Sequence, residues 1–119
     1  MFSCHQSVTL YWPEGGISSE GYLNKDSLEV GKWIHYYDYP LVYAIVRRDN
    51  NGLKHGKREK YYKNGELISI EKFSHGVQNG TQKYFYTTGE DSLVFEMKND
   101  SLIEGTYRLF SKKGELIDE

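Results

Sequence analysis

A glycine followed five residues later by an aromatic ring recurs along this chain at intervals of 24 or 25 residues: Gly31 and Tyr36, Gly56 and Tyr61, Gly80 and Phe85, Gly105 and Phe110. Nine residues after each of the last three glycines stands another, Gly65, Gly89 or Gly114; Pro40 takes that place in the first copy. The same offsets counted from Gln6 reach Tyr11 and Gly15, so a fainter copy precedes the four. Self-similarity at this period specifies stacked supersecondary units, each too small to bury its apolar face alone. The units fall at about residues 6–30, 31–55, 56–79, 80–104 and 105–119 of a single 119-residue domain.

Within one unit, Gly56 to Phe73, Asn64-Gly65 parts two runs rich in aromatic and β-branched residues, which is a hairpin signal. Asn-Gly suits a two-residue type I′ turn, and Thr88-Gly89 and Lys113-Gly114 occupy the same place. Pro40 must change the first turn, and Glu90-Asp91-Ser92 enlarges the third. Helical periodicity is absent, and each glycine would cost a helix about 1 kcal/mol. The expected fold is all-β: an elongated single-layer antiparallel sheet of about five stacked hairpins and ten short strands, roughly 45–50 Å long at the usual strand spacing. The atypical first copy, with Ser18-Ser19-Glu20-Gly21, and the short last one, ending Ile117-Asp118-Glu119, read as caps against edge pairing.

A two-residue turn predicts Tyr61 opposite Ile68, Glu59 opposite Ile70, Tyr36 opposite Tyr43 and Ile34 opposite Ile45. Residues one, three and five after the repeat glycine share a face, and residues two, four and six share the other. The first carries the recurrent column Tyr36, Tyr61, Phe85 and Phe110, expected to hold the stack. The second varies: Trp33, His35 and Tyr37, then Arg58, Lys60 and Tyr62, then Gln82, Tyr84 and Tyr86. A varying face reads as the one that makes contacts.

Composition narrows the function. With 11 tyrosines and few aliphatic residues, phenol rings must supply much of the buried area. The longest apolar run, Leu41 to Val46, is far short of a membrane span, and Met1-Phe2-Ser3-Cys4 lacks the leader of a signal peptide. One cysteine, Cys4, forms no internal disulfide, so a reducing cytoplasm is expected. His5, His35, His55 and His75 sit in different repeat phases without zinc-site spacing, and no metal or other cofactor is expected. Acidic pairs such as Glu90-Asp91 and Asp118-Glu119 lie at a turn and a terminus, and nothing orients a base beside Cys4 or a serine. The expectation is a protein that is not an enzyme.

Charge is segregated beneath a formal net of −2. Residues 47–63 hold Arg47, Arg48, Lys54, Lys57, Arg58, Lys60 and Lys63 against only Asp49 and Glu59, whereas residues 90–119 are acidic. A solvated face accounts for such a run, and so does a recognition patch in which cations meet flat rings.

The pattern Gly56-Lys57-x-x-x-Tyr61-Tyr62-x-x-Gly65-x-Leu67 resembles the MORN repeat, in the variant common among bacterial antitoxin components of toxin–antitoxin modules, over about residues 6–119. The resemblance implies a β-hairpin array that binds other macromolecules, with no catalytic residues to carry over. The leading expectation is a bacterial or phage protein, whether antitoxin, immunity protein or phage-encoded inhibitor. It would neutralise a target protein such as a toxin or nuclease by surface occlusion. Trp33, Tyr37, Arg58, Lys60, Tyr62, Tyr84 and Tyr86 are the expected protein-binding residues. The alternative partner is RNA or single-stranded nucleic acid, held by Arg47, Arg48, Lys54, Lys57, Arg58, Lys60 and Lys63, although the pI near 6.1 argues against a dedicated binder. Membrane phosphoinositides rank third, because no lipid-inserting helix accompanies the patch. Open sheet edges predict a monomer or a weak edge-paired oligomer.

Overall fold

The structure is a computed structural model and describes residues 5–118; Cys4 and Glu119 lie outside the described residues. All its regular elements are strands: β1 (Gln6–Tyr11), β2 (Ile17–Leu23), β3 (Glu29–Tyr36), β4 (Val42–Arg48), β5 (Gly56–Tyr61), β6 (Leu67–Ser74), β7 (Val77–Gln78), β8 (Gly80–Phe85), β9 (Asp91–Lys98), β10 (Ser101–Leu102), β11 (Arg108–Phe110) and β12 (Leu116–Asp118). They form one open antiparallel sheet in which hairpin follows hairpin without crossover, and the short β7 and β10 pair only with β6 and β9. The molecule measures 47 × 33 × 23 Å, so its length matches the spacing estimate. Its least dimension is about twice the ~10 Å of one flat sheet layer, as strong twist requires.

The turns within hairpins differ from the expected type I′. Gly65 N–H donates to Tyr62 O at 3.0 Å and Tyr62 N–H to Glu66 O at 2.8 Å, and of these residues only Gly65 has a positive φ, +90°. That geometry is a type I turn closed by a glycine bulge. The bulge moves the register by one residue, so Tyr61 pairs with Leu67 rather than Ile68, and Tyr36 with Val42 rather than Tyr43. Glu59–Ile70 and Ile34–Ile45, which precede the bulge, pair as expected. Tyr86 and Gly89 repeat the Tyr62–Gly65 closure, so Glu90–Ser92 do not enlarge the third turn. At Pro40, whose bond to Tyr39 is cis, Tyr37 N–H still reaches Leu41 O at 2.9 Å. Two-residue turns with both φ positive occur instead at the opposite end of the hairpins, at His75-Gly76 and Asn99-Asp100. Ser18–Gly21 lie inside β2, a strand paired on both sides, and are not a cap; the edge is β1.

The four repeat glycines have φ between +70° and +106°, a region that a Cβ disfavours. They mark where the chain enters the first strand of each hairpin, next to seams that pair poorly. Within a hairpin the strands share six residue pairs, as in β3–β4, β5–β6 and β8–β9. Between hairpins, β4–β5 and β6–β8 share only two. Side chains close the gap. Trp33 lies over Gly21, where a Cβ would fall 2.1 Å from the indole, and its Nε1–H donates to Tyr22 O at 2.9 Å. Gln82, fully buried, accepts from Lys72 N–H and donates to Lys72 O, both at 3.0 Å, so an amide side chain stands in for a strand.

These side chains belong to the face of residues two, four and six. That face holds the buried Trp33, Ala44, Val46, Phe73, Ser19, Ser69, Glu71 and Gln82, and Tyr36 is the one member buried from the aromatic column. The expected assignment of faces is therefore reversed in depth: the varying face is the inner one, because twist turns it onto the open seams, and Tyr61, Phe85 and Phe110 are only half-buried.

Gly21→Ala should cost upward of about 3 kcal/mol in urea unfolding, because either the indole or two strands must shift. Gly114→Ala meets nothing within 4 Å and should cost only about 1 kcal/mol for its φ of +85°. Equal losses would mean that Trp33 is not packed against Gly21.

Candidate binding site

The inner face carries a polar network between repeats. Arg58 on β5 stands opposite Glu71 on β6 and donates through Nε (3.1 Å) and Nη2 (2.9 Å) to Oε1, and through Nη2 to Oε2 at 3.0 Å. Tyr84 on β8 donates its hydroxyl to the other side of the same carboxylate at 3.1 Å. Burial pushes Glu71 up, but the Arg58 hydrogen bonds and charge, with Tyr84, outweigh it and hold the carboxyl below its usual range. The same cause, burial, and then Glu71 itself raise Tyr84. Phe73 packs under two cations, with Lys54 Nζ at 4.7 Å and Arg58 Cζ at 5.0 Å from the ring centroid. Lys54 is lowered by burial and by the neighbouring Arg58 and Arg48.

A second set of contacts is strictly periodic. The tyrosine six residues after the repeat glycine donates its hydroxyl to a backbone carbonyl one repeat on: Tyr37 to Tyr61 O (2.7 Å), Tyr62 to Phe85 O (3.0 Å) and Tyr86 to Phe110 O (2.5 Å). These rings, expected as contacts for a partner, tie neighbouring hairpins together. Trp33, also expected to make contact, is 1% exposed and presents no surface, because it fills the space above Gly21.

What remains open on this face is a groove of about 400 Å³ crossing β2 to β5, lined by Trp12, Ser19, His35, Tyr43, Arg58 and Lys60 among others. Ser19 Oγ and His35 Nδ1 lie 2.8 Å apart, and burial lowers His35, which favours the neutral ring. Lys60 is half-buried and forms no ion pair or hydrogen bond among the described residues. Trp12 and Tyr43, 41% and 39% exposed, were missed. Tyr43 stands at no shared repeat position, but Trp12 lies six residues after Gln6, the place that Tyr37, Tyr62 and Tyr86 take in later copies, and that phase was its signal.

The basic run is divided by strand alternation. Arg58, Lys60 and Lys54 belong to the inner face; Arg47 and Lys57 belong to the outer one. Arg47 Nη1 donates to Glu59 Oε1 at 2.6 Å and to Lys57 O at 3.1 Å. Arg48 Nη1 donates to Gly52 O at 2.9 Å, while its Nε, 3.5 Å from Glu29, makes no hydrogen bond. Lys63 sits over Tyr37 at 5.5 Å. The seven residues therefore do not converge on one surface.

The histidines are closer than repeat phase suggested. His55 and His75 stack with centroids 4.2 Å apart, and His75 Nδ1 lies 2.7 Å from Asp49 Oδ2, which holds Asp49 below the usual carboxylate range. No group of three His, Cys, Asp or Glu side chains suited to a metal occurs among the described residues. Likewise, no helix there is long and apolar enough to cross a membrane. No family model matches the chain, and no curated protein is significantly similar to it.

The Glu71 carboxyl is lowered on folding, so its contribution to stability is present above the ordinary carboxylate range near 4.5 and is lost as pH falls through the folded value. Urea midpoints from pH 7 to pH 3 should fall less steeply for Glu71→Gln than for the native chain; parallel curves would contradict the Arg58–Glu71 assignment. Tyr62→Phe should lose about 1 kcal/mol in the same assay. No loss would mean that its hydroxyl is not bonded across the seam.

Proposed function

We propose that this chain is a non-catalytic binding protein of bacterial or phage origin that neutralises a protein target by covering its functional surface, acting in the cytoplasm. The observation that carries this reading is the inner-face groove. There Lys60, without a partner of its own, sits among Trp12, Tyr43 and His35 on a sheet whose strands are already ordered. Aromatic and cationic side chains supply most interface energy, and a preformed sheet loses little entropy on docking. A target with an acidic residue beside an apolar ridge complements the groove. The likeness of the repeats to those of MORN-type antitoxins supports the same reading.

Of the expected contact set, Lys60 and the solvent-facing parts of Arg58, Tyr37, Tyr62, Tyr84 and Tyr86 stay in it. Trp12 and Tyr43 take the place of Trp33.

Affinity isolation from the native cell, followed by size exclusion with light scattering, should give a stoichiometric complex with one protein. Trp12→Ala with Lys60→Glu should weaken that complex at least about 30-fold, as expected when a central anchor worth about 2 kcal/mol is lost. A complex unaffected by the pair, or self-association in place of a complex, would overturn the proposal.

A further inference from the structure

The outer face carries a feature that the groove does not use. Position one of successive units and its partner on the second strand of each hairpin bear Lys32 and Arg47, then Lys57 and Lys72. Lys32 pairs directly with Arg47, and Lys57 with Lys72. Arg47 lies over Gly56 at the seam between the two hairpins, where a Cβ would stand 3.8 Å from its Cδ. Four cations thus lie side by side across four consecutive strands, a row roughly 15 Å long at the usual strand spacing.

Like charges directly opposed on adjacent strands are destabilising, and here two such pairs are adjacent. The acids of this face do not neutralise the row. Glu20 accepts from the Tyr36 hydroxyl, Glu59 from Arg47 and Tyr61, and Glu96 from Thr81. Only Arg47 is hydrogen-bonded to a carboxylate; Lys57 feels the charge of Glu59 at a distance, and Lys32, Lys57 and Lys72 are exposed without hydrogen bonds or ion pairs from their ammonium groups among the described residues. Both ends of the row open into surface depressions. One, of about 470 Å³, contains Lys32, Tyr22 and Ile34 together with Glu20, the acid that accepts from Tyr36; the other, of about 300 Å³, is lined by Lys57, Ile70, Lys72, Thr81 and Lys83.

We infer that this row is a track for the phosphodiester backbone of a single nucleic-acid strand, on the face opposite the protein-binding groove. A straight line of cations one strand apart matches a linear polyanion, whereas a compact anion would need converging donors. Thr81 and its partner Glu96, the next members of the row, carry no cation, so the track ends at Lys72 with Lys83 beside it. The ligand is held by charge and not by base identity, so binding is indifferent to sequence and steep in salt.

The test uses the full chain and fluorescent twelve-nucleotide single strands of DNA and RNA, followed by anisotropy at 50 and 200 mM salt. Engagement of about three phosphates predicts a roughly 20-fold loss of affinity between those salts. Lys72→Glu places an acid opposite Lys57, so the fold should be unharmed, as checked by its thermal midpoint, while oligonucleotide affinity falls at least tenfold. Lys60→Glu, on the other face, should leave oligonucleotide binding unchanged, which separates this inference from the groove reading. No binding at either salt overturns it. So does loss of binding in Lys60→Glu but not in Lys72→Glu, or occupancy of the row by pyrophosphate or an acidic peptide when oligonucleotides do not bind.

Discussion

The weak pairing between hairpins is the constraint on which the rest of this molecule depends. Twist accumulates across a sheet, and here pairing thins at the seams, where two residue pairs join β4 to β5 and β6 to β8, against six within each neighbouring hairpin. A sheet that opens in this way leaves backbone groups and apolar surface unmatched, and side chains must supply what the ladder lacks. Trp33 fills the β2–β3 seam with an indole, and the β6–β8 seam is bridged by the Gln82 amide and by the Tyr84 hydroxyl on Glu71, a carboxylate that Arg58 holds from within its own hairpin. The variation that looks like recognition in the sequence is, at position two, packing on the inner face.

The same constraint explains the tyrosines. A phenol spans the seam, buries its ring and still delivers a hydroxyl to a carbonyl about 24 residues away. Neutral, directional bonds of this kind add roughly 1 kcal/mol each, and they recur because each hairpin is marginal without its neighbour. Held this way, the rings are structural first, and binding is left to their solvent-facing parts, to Trp12, Tyr43 and Lys60 in the groove, and to the cations of the outer face.

Much of the architecture was legible from period and punctuation: strands, hairpin order, repeat length and the registers Ile34–Ile45 and Glu59–Ile70. The turn type was not, because Asn64-Gly65 suits a type I′ turn and a glycine-bulge turn equally well. Asn64 decides it locally, its Oδ1 accepting from Glu66 N–H at 2.9 Å. The depth of the two faces was also hidden. Alternation says which residues share a side, but only the direction of coiling says which side is inner, and Gly21 beneath Trp33 is the local cue. Clustering by sequence joined Arg47 with Arg58 and Lys57 with Lys60, which alternation then placed on opposite faces. The row Lys32, Arg47, Lys57 and Lys72 escaped notice because its members are 40 residues apart at the extremes.

The face of Trp33, Arg58 and Gln82 is the interior of the molecule. Acrylamide quenching of Trp33 fluorescence in a Trp12→Phe background reads that burial directly. The indole should emit to the blue of the urea-unfolded chain and resist the quencher several-fold better. Emission and quenching equal to those of the unfolded chain, in a protein that is still folded by circular dichroism, would contradict it.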